Sequence, residues 1–487
     1  MRISPLLALA IPIVIPIGAA AAQPAPPLVP MVEAVLAQGP AGTRYGVMVT
    51  TLEGEPLLAI NPDQRFIPAS NTKLFVTAAA FANLPALQAA ATGTGVRLEP
   101  VGPGVVDVVL QGRGEARLSS APECANACLQ TLADAVAAKA RRVRHVVGDD
   151  SWFPAERWGL GMSWNNIQTD SGTGISALTL DDNEIAATVT PGAIGSTPTV
   201  VTSVYYQIDN RLLTVEGDRE AIVDERAPNS KIVRLTGTIG VDAKPVTLRF
   251  GVDDPADHAA WALRELLRAR RITVTGEIAT RHRRLTPSDD PVIRGSAPPP
   301  RPPQPELLAA LPAPDLVADM KITNKKSQNL YSDLMLRHLA RLAGNGSIAD
   351  GMAVLRAVMR EAQLPAESFT FADGSGMSSY NRITPRAATR LLIWAARQPW
   401  GQAWRETLPI AGVDGTLRNR FKNSSLQGKL FAKTGSLNAT RALSGYLVTR
   451  SGRTLAFSAI ANDMPDGADA RATAVVDKAL VAIAEAL

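Results

Sequence analysis

The sequence is poor in the residues that build most metal, redox and nucleic-acid-binding sites. Its 487 residues include two cysteines and four histidines, and the histidines are scattered at His145, His258, His282 and His338. That spacing supports neither a Ser-His-Asp triad nor a histidine metal site. Aromatic residues make up 5% of the chain, and the net charge of +5 comes from dispersed basic residues. A nucleic-acid-binding face usually has clustered Lys and Arg interleaved with aromatics. We therefore predict no metal, no cofactor and no nucleic-acid partner.

Long hydrophobic runs are also missing, except near the N-terminus. There, Arg2 precedes an apolar stretch at 6–17, and three alanines stand at 20–22 before Gln23. The stretch is about 12 residues long with two prolines inside it, whereas a helix needs roughly 20 residues to cross a bilayer. An uncleaved membrane anchor is therefore the weaker interpretation. We predict a cleavable signal peptide at 1–22 and export to the periplasm of a bacterium, with peripheral membrane association at most.

The two cysteines, Cys124 and Cys128, lie four residues apart in the stretch PECANAC. Export favours a disulfide, but this spacing is awkward for a bridge within a regular helix, so one cysteine would have to lie in the loop that enters the helix. Two free buried thiols are the alternative. No further Cys or His lies nearby to complete a metal site, so the pair is structural in either case.

The composition divides the chain into unlike parts. A length of 487 residues suggests two or three folding units. The region from 186 to 250 has short runs rich in Val and Thr between Gly, Asp and Asn, and prolines cluster at 296–305. We predict an α/β domain at 96–185 plus 251–290, a β-rich domain nested in it at 186–250, and a Pro-rich connector at 291–305.

The two ends of the chain carry the pattern of one sheet packed between helices. Strands are expected near 47–49, 57–60, 428–434, 443–449 and 454–461. A helix is expected from Ser70 to before Pro85, and others at 330–342, 385–397 and 470–487. We predict one domain from 23–95 plus 300–487, with two N-terminal and three C-terminal strands in an antiparallel sheet. Between the two ends, single strands are expected at 101–110 and 272–278.

Ser70 and Lys73 form the first motif with chemical meaning. If a helix begins at Ser70, the two side chains lie one turn apart on the same side. A hydroxyl becomes a nucleophile when a base removes its proton. A buried lysine is able to act as that base, because desolvation disfavours its charged form. Alone, the pattern SxxK is weak, since a capping serine followed by a surface lysine gives the same letters.

Ser327 and Asn329 form a second motif, just before a predicted helix. A second hydroxyl is able to pass a proton to a leaving amine, and an amide is able to hold a carbonyl or a lysine. In isolation a simple helix cap is the better interpretation.

The third motif ends a predicted strand and consists of Lys433, Thr434, Gly435 and Ser436. The glycine lets a substrate approach the strand edge and add as a further strand. The lysine and the threonine suit a terminal carboxylate. A strand end with a solvated lysine is the alternative.

In this order, SxxK, SxN and KTG are the signature of serine acyl-transfer enzymes that react with penicillin, and their spacing narrows the family. Lys73 and Ser327 are about 250 residues apart, whereas serine β-lactamases need about 60. The sequence therefore resembles the class C low-molecular-mass penicillin-binding proteins, the D-alanyl-D-alanine carboxypeptidase/endopeptidases of the penicillin-binding protein 4 type. Further stretches resemble that family: GDDSWF at 148–153, ISALTLDDNEI at 175–185, DGSGMSSYNRITP at 373–385 and GVDGTL at 412–417.

The resemblance implies a fold and an activity. The fold is α+β, a penicillin-binding/serine β-lactamase-like transpeptidase domain with a large two-domain insertion. The activity is that of a penicillin-sensitive serine DD-peptidase of peptidoglycan, which removes terminal D-alanine and cleaves D-Ala-containing cross-links through an acyl-enzyme. Peptidoglycan stem peptides and β-lactams are the implied partners, and the oligomeric state is left open.

The resemblance also implies a role for each motif residue. Ser70 is acylated, Lys73 is its general base, Ser327 relays the proton to the leaving D-alanine, and Asn329 positions Lys73 and the substrate. The third motif binds the substrate carboxylate through Lys433, Thr434 and Ser436. The backbone N–H groups of Ser70 and Ser436 form the oxyanion hole.

Two departures from the family pattern concern recognition of the peptide side chain. Ser379 stands where the family has an arginine, and Asn165 and Asn166 stand where an acid is often found. Two other hypotheses remain open at this point. One is a β-lactamase, and the other is a non-catalytic wall-binding protein of the same fold, which the complete set of catalytic positions disfavours.

Two charged clusters are interpreted structurally. The run at 181–184 (Asp, Asp, Asn, Glu) is expected to be an exposed turn rather than a metal site. The run at 281–284 (Arg, His, Arg, Arg) is expected to be a solvated face.

Overall fold

The computed structural model describes residues 27–295, 297, 301 and 303–487. The predicted signal peptide and part of the predicted connector lie outside the described residues. Within these ranges, no helix combines the length and the apolar character that a membrane crossing requires.

Both ends of the chain contribute to one antiparallel five-stranded sheet. The first strand lies beside the last one, with Arg44 opposite Asn462 and Thr51 opposite Leu455. The strands in spatial order are Leu430–Leu437, Thr440–Val448, Thr454–Asn462, Arg44–Thr51 and Pro56–Ile60. This arrangement confirms the predicted sheet of two N-terminal and three C-terminal strands.

Helices cover both faces of this sheet. Alternate residues of a strand point to opposite sides, and both sides of these strands present apolar residues that helices bury. Phe457 packs in one hydrophobic cluster with Leu480 of the C-terminal helix. Ile460, three residues further on, packs in the other cluster with Phe75. The helices of this part of the chain are Leu28–Leu36, Thr72–Ala82, Leu84–Ala90, Leu316–Lys325, Asn329–Ala343, Ile348–Glu361, Pro385–Ala396, Gly401–Glu406 and Asp469–Ala486.

The middle of the chain forms a six-stranded mixed sheet with two helices, Leu129–Lys139 and Pro255–Ala269. Its strands are Thr273–Val274, Ile278–Arg283, Arg142–Pro154, Val105–Gln111, Gly95–Gly102 and Ala309–Ala310. The short helix Pro291–Arg294 lies in the chain between the strands Ile278–Arg283 and Ala309–Ala310. The domain boundaries given above stay predictions.

Two three-stranded sheets pack on each other within the predicted β-rich region. One consists of Gln207–Val215, Ile232–Gly240 and Glu220–Glu225, and the other of Val246–Gly251, Glu184–Thr190 and Thr199–Thr202. A two-stranded pair, Phe369–Thr370 with Arg382–Ile383, lies close to the site described below.

The two single strands predicted at 101–110 and 272–278 are each wrong in the same way. Pro103 and Gly104 turn the first segment into a hairpin of two strands, and Gly104 has a φ of +69°. Gly276 interrupts the second segment, where its N–H donates to the Arg144 carbonyl. A glycine marks the break in both places, for two different reasons. Gly104 adopts a positive φ that other residues avoid, whereas a Cβ on Gly276 would lie 2.6 Å from the Arg144 carbonyl oxygen.

Cys124 and Cys128 form a disulfide with their Cα atoms 5.6 Å apart. Cys128 is the residue before the helix Leu129–Lys139, so the bridge lies in the entering loop. This geometry decides between the two alternatives left open by the sequence.

The basic run at 281–284 is only partly the solvated face that was expected, because Arg284 is exposed whereas the three residues before it are half-buried. Arg281 makes an ion pair with Glu99, His282 with Asp150, and Arg283 with Asp289. Glu99 and Asp150 lie more than 100 residues away in sequence, so the local composition gave no signal for these two partners.

The acidic run at 181–184 is a turn, as expected, but it is not exposed. Asp181 accepts hydrogen bonds from the Ser119 hydroxyl and the Ser120 N–H, at 2.9 and 2.8 Å, and Asn183 is fully buried.

Candidate active site

Ser70 lies in a short 3-10 turn, Ala69–Asn71, that leads into the helix Thr72–Ala82, here called the Lys73 helix. The regular helix thus begins two residues later than predicted. Nearly all of it is buried, including Lys73 with 0% of its surface exposed, whereas Ser70 is half-buried. The expected spacing of one turn holds, because Lys73 Nζ lies 2.7 Å from Ser70 Oγ.

The amine of Lys73 contacts three acceptors. Besides Ser70 Oγ, it donates to Asn329 Oδ1 at 2.7 Å and to the Ser375 carbonyl at 2.5 Å. Burial lowers the pKa of Lys73 to about 7, although Asp333 and Asp373 act in the opposite direction. A lysine with this pKa is partly neutral at physiological pH and is able to accept a proton.

Ser327 and Asn329 lie at the start of the helix Asn329–Ala343, here called the Asn329 helix. Ser327 has a φ of +62°, a conformation that is uncommon outside glycine and that turns the chain just before the helix. Between them, Gln328 Oε1 accepts from the Leu330 N–H at 3.0 Å and caps the helix. Asn329 Nδ2 donates to the Ser171 carbonyl at 2.8 Å, so the middle region of the chain also contacts this site.

Lys433 extends from the edge strand, Leu430–Leu437, and is fully buried. Its Nζ donates to Ser327 Oγ and to the Thr434 carbonyl, both at 2.8 Å. Burial lowers its pKa well below the ordinary range, and the charge of Lys73 acts in the same direction. The three sequence motifs are therefore joined by two contacts, Lys73 Nζ to Asn329 Oδ1 and Lys433 Nζ to Ser327 Oγ.

The rest of the third motif is arranged less tightly. Thr434 Oγ1 lies 2.7 Å from Thr416 Oγ1. Ser436 is exposed at the end of the edge strand, and its side chain has no hydrogen bond to the other predicted site residues within the described part of the chain. A Cβ on Gly435 would lie 2.6 Å from the Pro68 carbonyl oxygen. The glycine is thus required for contact between the edge strand and the turn that carries Ser70.

Comparison with known proteins decides the family. The model of the D-Ala-D-Ala carboxypeptidase 3 (S13) family matches residues 28–486. The chain belongs to this family. The resemblance seen in the motifs is confirmed, and so are the serine-type D-Ala-D-Ala carboxypeptidase class and the peptidoglycan DD-peptidase function.

Individual relatives agree with this assignment. A D-alanyl-D-alanine carboxypeptidase from Actinomadura sp. (strain R39) is 31% identical over 437 residues, which cover 85% of this chain and 77% of the relative. A D-alanyl-D-alanine carboxypeptidase DacB from Haemophilus influenzae is 26% identical, over 66% of this chain and 65% of the relative. The crystal structure of penicillin binding protein 4 from Haemophilus influenzae has a TM-score of 0.72 at 22% identity and covers 92% of this chain and 99% of its own, which confirms the fold.

The two departures of this S13 family member lie on neighbouring loops. The Ser379 N–H donates to the Gly161 carbonyl at 3.0 Å, so the loop after residue 376 contacts the loop before Asn165. Trp164, next to Asn165, is 72% exposed. The structure thus places both substituted positions at one junction between the catalytic region and the middle region.

Five residues near the motifs escaped the sequence prediction: Asn71, Asp333, Asp373, Ser375 and Thr416. Three of them fall in the stretches 373–385 and 412–417, which resembled the family without suggesting individual roles. Asn71 lies inside the first motif, and its Nδ2 donates to the Lys433 carbonyl at 2.9 Å. The motif alone gave no indication of this contact between the Ser70 turn and the edge strand, because the two segments are far apart in sequence.

A cavity of about 210 Å³ opens beside Ser327 and Asn329 and is also lined by Ser171 and Lys326. Across the described ranges, no group of three or more His, Cys, Asp or Glu side chains is placed to hold a metal ion.

Proposed function

We propose that this S13 family member cleaves peptidoglycan peptides through an acyl-enzyme on Ser70. The observation that supports this route is the contact of 2.7 Å between Ser70 Oγ and the amine of a fully buried Lys73. A neutral Lys73 takes the hydroxyl proton while Oγ attacks the carbonyl carbon of the penultimate D-alanine. The backbone N–H groups of Ser70 and Ser436 stabilise the oxyanion that forms.

The second half of the acylation uses the other two motifs. As the peptide C–N bond breaks, Ser327 gives its proton to the departing amine and is reprotonated with the proton that Lys73 took from Ser70, so that both groups are restored. Asn329 holds Lys73 and the substrate during this transfer. Lys433 and Thr434, with Ser436, bind the terminal carboxylate. Water then attacks the ester on Ser70, which releases the shortened peptide and restores the hydroxyl.

The substrates that we propose are stem peptides ending in D-Ala-D-Ala and D-Ala-containing cross-links. The enzyme is therefore both a carboxypeptidase and an endopeptidase. A β-lactam acylates the same serine, and the acyl-enzyme that it forms is hydrolysed slowly. A Haemophilus influenzae penicillin binding protein 4 complexed with a β-lactam shares this fold, with a TM-score of 0.70 at 20% identity. The location that we propose is the periplasm, reached by way of the signal peptide at 1–22.

Pentapeptide and cross-linked dimer muropeptides test this function directly. Mass spectrometry of the products is expected to show D-alanine release and dimer cleavage by the wild type and neither by Ser70→Ala. Labelled penicillin is expected to remain bound to Ser70. Rapid turnover of penicillin would instead identify a β-lactamase, and folded protein that is never acylated would identify a wall-binding protein.

A further inference from the structure

The Ser375 carbonyl, one of the three acceptors around Lys73, belongs to a loop at residues 373–378, here called the Asp373 loop. Asp373 closes this loop with its two carboxylate oxygens. Oδ1 accepts from the Gly376 N–H at 2.9 Å and from Asn381 Nδ2 at 2.6 Å, and Oδ2 accepts from the Ser378 N–H at 2.5 Å. Because both oxygens are used by N–H donors, the ionised carboxylate fits the loop and an amide does not.

Asp333 holds the same loop from the opposite side. It lies on the Asn329 helix one turn after Asn329, and its Oδ1 accepts from the Gly374 N–H at 2.7 Å. The neighbouring Ser332 hydroxyl donates to the Gly374 carbonyl, also at 2.7 Å. The Asn329 helix thus provides one acceptor for Lys73, Asn329 Oδ1, and through Asp333 it holds the loop that carries the second acceptor, the Ser375 carbonyl.

These two acceptors determine where the lone pair of a neutral Lys73 points. A neutral amine has two N–H donors and one lone pair. With the donors directed to Asn329 Oδ1 and the Ser375 carbonyl, the lone pair is left facing Ser70 Oγ, 2.7 Å away. The orientation needed for proton transfer therefore depends on the position of the Asp373 loop.

The charges around Lys73 come from three elements. Lys433 approaches from the edge strand and disfavours a second cation, whereas Asp333 on the Asn329 helix and Asp373 in the loop favour one. Burial, and after it repulsion by Asp373, raises the pKa of Asp333, while the hydrogen bond from the Gly374 N–H and the charge of Arg337 act in the opposite direction.

We propose that Asp333 and Asp373 are positioning residues for Lys73, which fix the Ser375 carbonyl against its amine and place negative charge beside it. This inference rests on the proposed role of Lys73 as the base. On this inference, the two carboxylates determine the orientation of the Lys73 amine and the pH range in which Lys73 acts as the base.

The test is the pH profile of Ser70 acylation by labelled penicillin, from pH 5 to pH 9. Asp333→Asn keeps an oxygen for the Gly374 N–H and removes the charge. The acid limb of its profile is expected to move to lower pH by about one unit, since an attraction that favours protonated Lys73 is lost. Asp333→Ala is expected to show the same shift and a plateau about tenfold lower, because the loop anchor is lost as well.

Asp315→Asn is the matched control. Asp315 is exposed and caps the helix Leu316–Lys325 by accepting from the Ala318 N–H at 3.1 Å, and its amide variant is expected to leave the profile unchanged. A lower plateau without a shift of the acid limb in Asp333→Asn overturns the proposal, because a purely structural role predicts that result. If that variant does not fold, Asp373→Asn is measured in its place. The same shift is then expected together with a lower plateau, because an amide does not fit the loop, and an acid limb that stays in place overturns the proposal. Wild-type protein that is not acylated at any pH contradicts the proposed function instead.

Discussion

Lys433 Nζ donates to Ser327 Oγ at 2.8 Å, and both groups lie between the edge strand and the Asn329 helix. Because the Ser327 oxygen accepts from the lysine, its own proton is directed away from Lys433. In the proposed reaction, this contact leaves the Ser327 hydroxyl free to donate its proton to the departing amine. It also gives the fully buried amine of Lys433 an acceptor for one of its N–H groups.

Removal of that hydroxyl is expected to slow acylation strongly. For Ser327→Ala we expect kcat/KM for D-alanine release from a pentapeptide to fall by about 100- to 1,000-fold, the usual contribution of a positioned acid or base. Ser425→Ala, the same change at a half-buried serine whose hydroxyl donates to Glu485, is expected to have wild-type kinetics. Equal kcat/KM values for the two variants would show that Ser327 relays no proton.

Gly435 tests how closely the edge strand has to approach the Ser70 turn. In Gly435→Ala the new Cβ would lie 2.6 Å from the Pro68 carbonyl oxygen, so strand and turn have to separate. We expect acylation by labelled penicillin to slow by at least about tenfold, since small displacements of reacting groups are costly. Gly102→Ala, where a Cβ meets no atom within 4 Å, is the control and is expected to react normally. A normal rate in Gly435→Ala would mean that the contact has no role in catalysis.

The sequence carried enough information for the sheet and for the three motifs, because both depend on short-range patterns. The nearly continuous apolar run in the strand Thr454–Asn462 indicated burial on both faces, and each motif indicated the end of one helix or strand. The contact between Lys73 and Ser70 was expected from their spacing of one helical turn. The order of the three motifs indicated that the helix and strand ends that carry them meet at one site.

The positioning network around Lys73 was not accessible in the same way. Asp373 and Ser375 lie some 300 residues after Lys73 in the sequence, and an Asp-Gly-Ser-Gly run is equally typical of an ordinary turn. Arg281 was assigned to a solvated face for the same reason, since its partner Glu99 is distant in sequence. Pairings of this kind are set by tertiary packing, which a single sequence does not display.

The disulfide between Cys124 and Cys128 is expected to stabilise the middle region without affecting the active site. Its loop spans five residues, for which chain entropy predicts about 2 kcal/mol of unfolding free energy. Reduction with dithiothreitol is expected to lower the midpoint of urea unfolding while penicillin acylation at 25 °C stays at the wild-type rate. The double variant Cys124→Ser/Cys128→Ser is expected to behave like the reduced protein and to be insensitive to the reductant. Loss of acylation on reduction would contradict the structural assignment of this pair.

His282 is expected to make the stability of the protein depend on pH in the alkaline range. Its Nδ1 lies 2.9 Å from Asp150 and its Nε2 lies 3.3 Å from Asp254, and these contacts raise its pKa to about 10. A group whose pKa is higher in the folded than in the unfolded state stabilises the fold fully below the unfolded pKa of about 6.5. That stabilisation is lost as the pH rises from about 6.5 through 10.

The size of the effect is on the order of 2 kcal/mol, less than the full pKa shift implies, because the His282 side chain is 26% exposed and solvent screens the pairs. We expect the melting temperature of the wild type to fall between pH 6 and pH 9.5 more steeply than that of His282→Gln. His145→Gln, in which the lost contact is one to the Glu277 carbonyl, is expected to keep the wild-type slope. Parallel curves for wild type and His282→Gln would show that the ion pairs with Asp150 and Asp254 contribute nothing to stability.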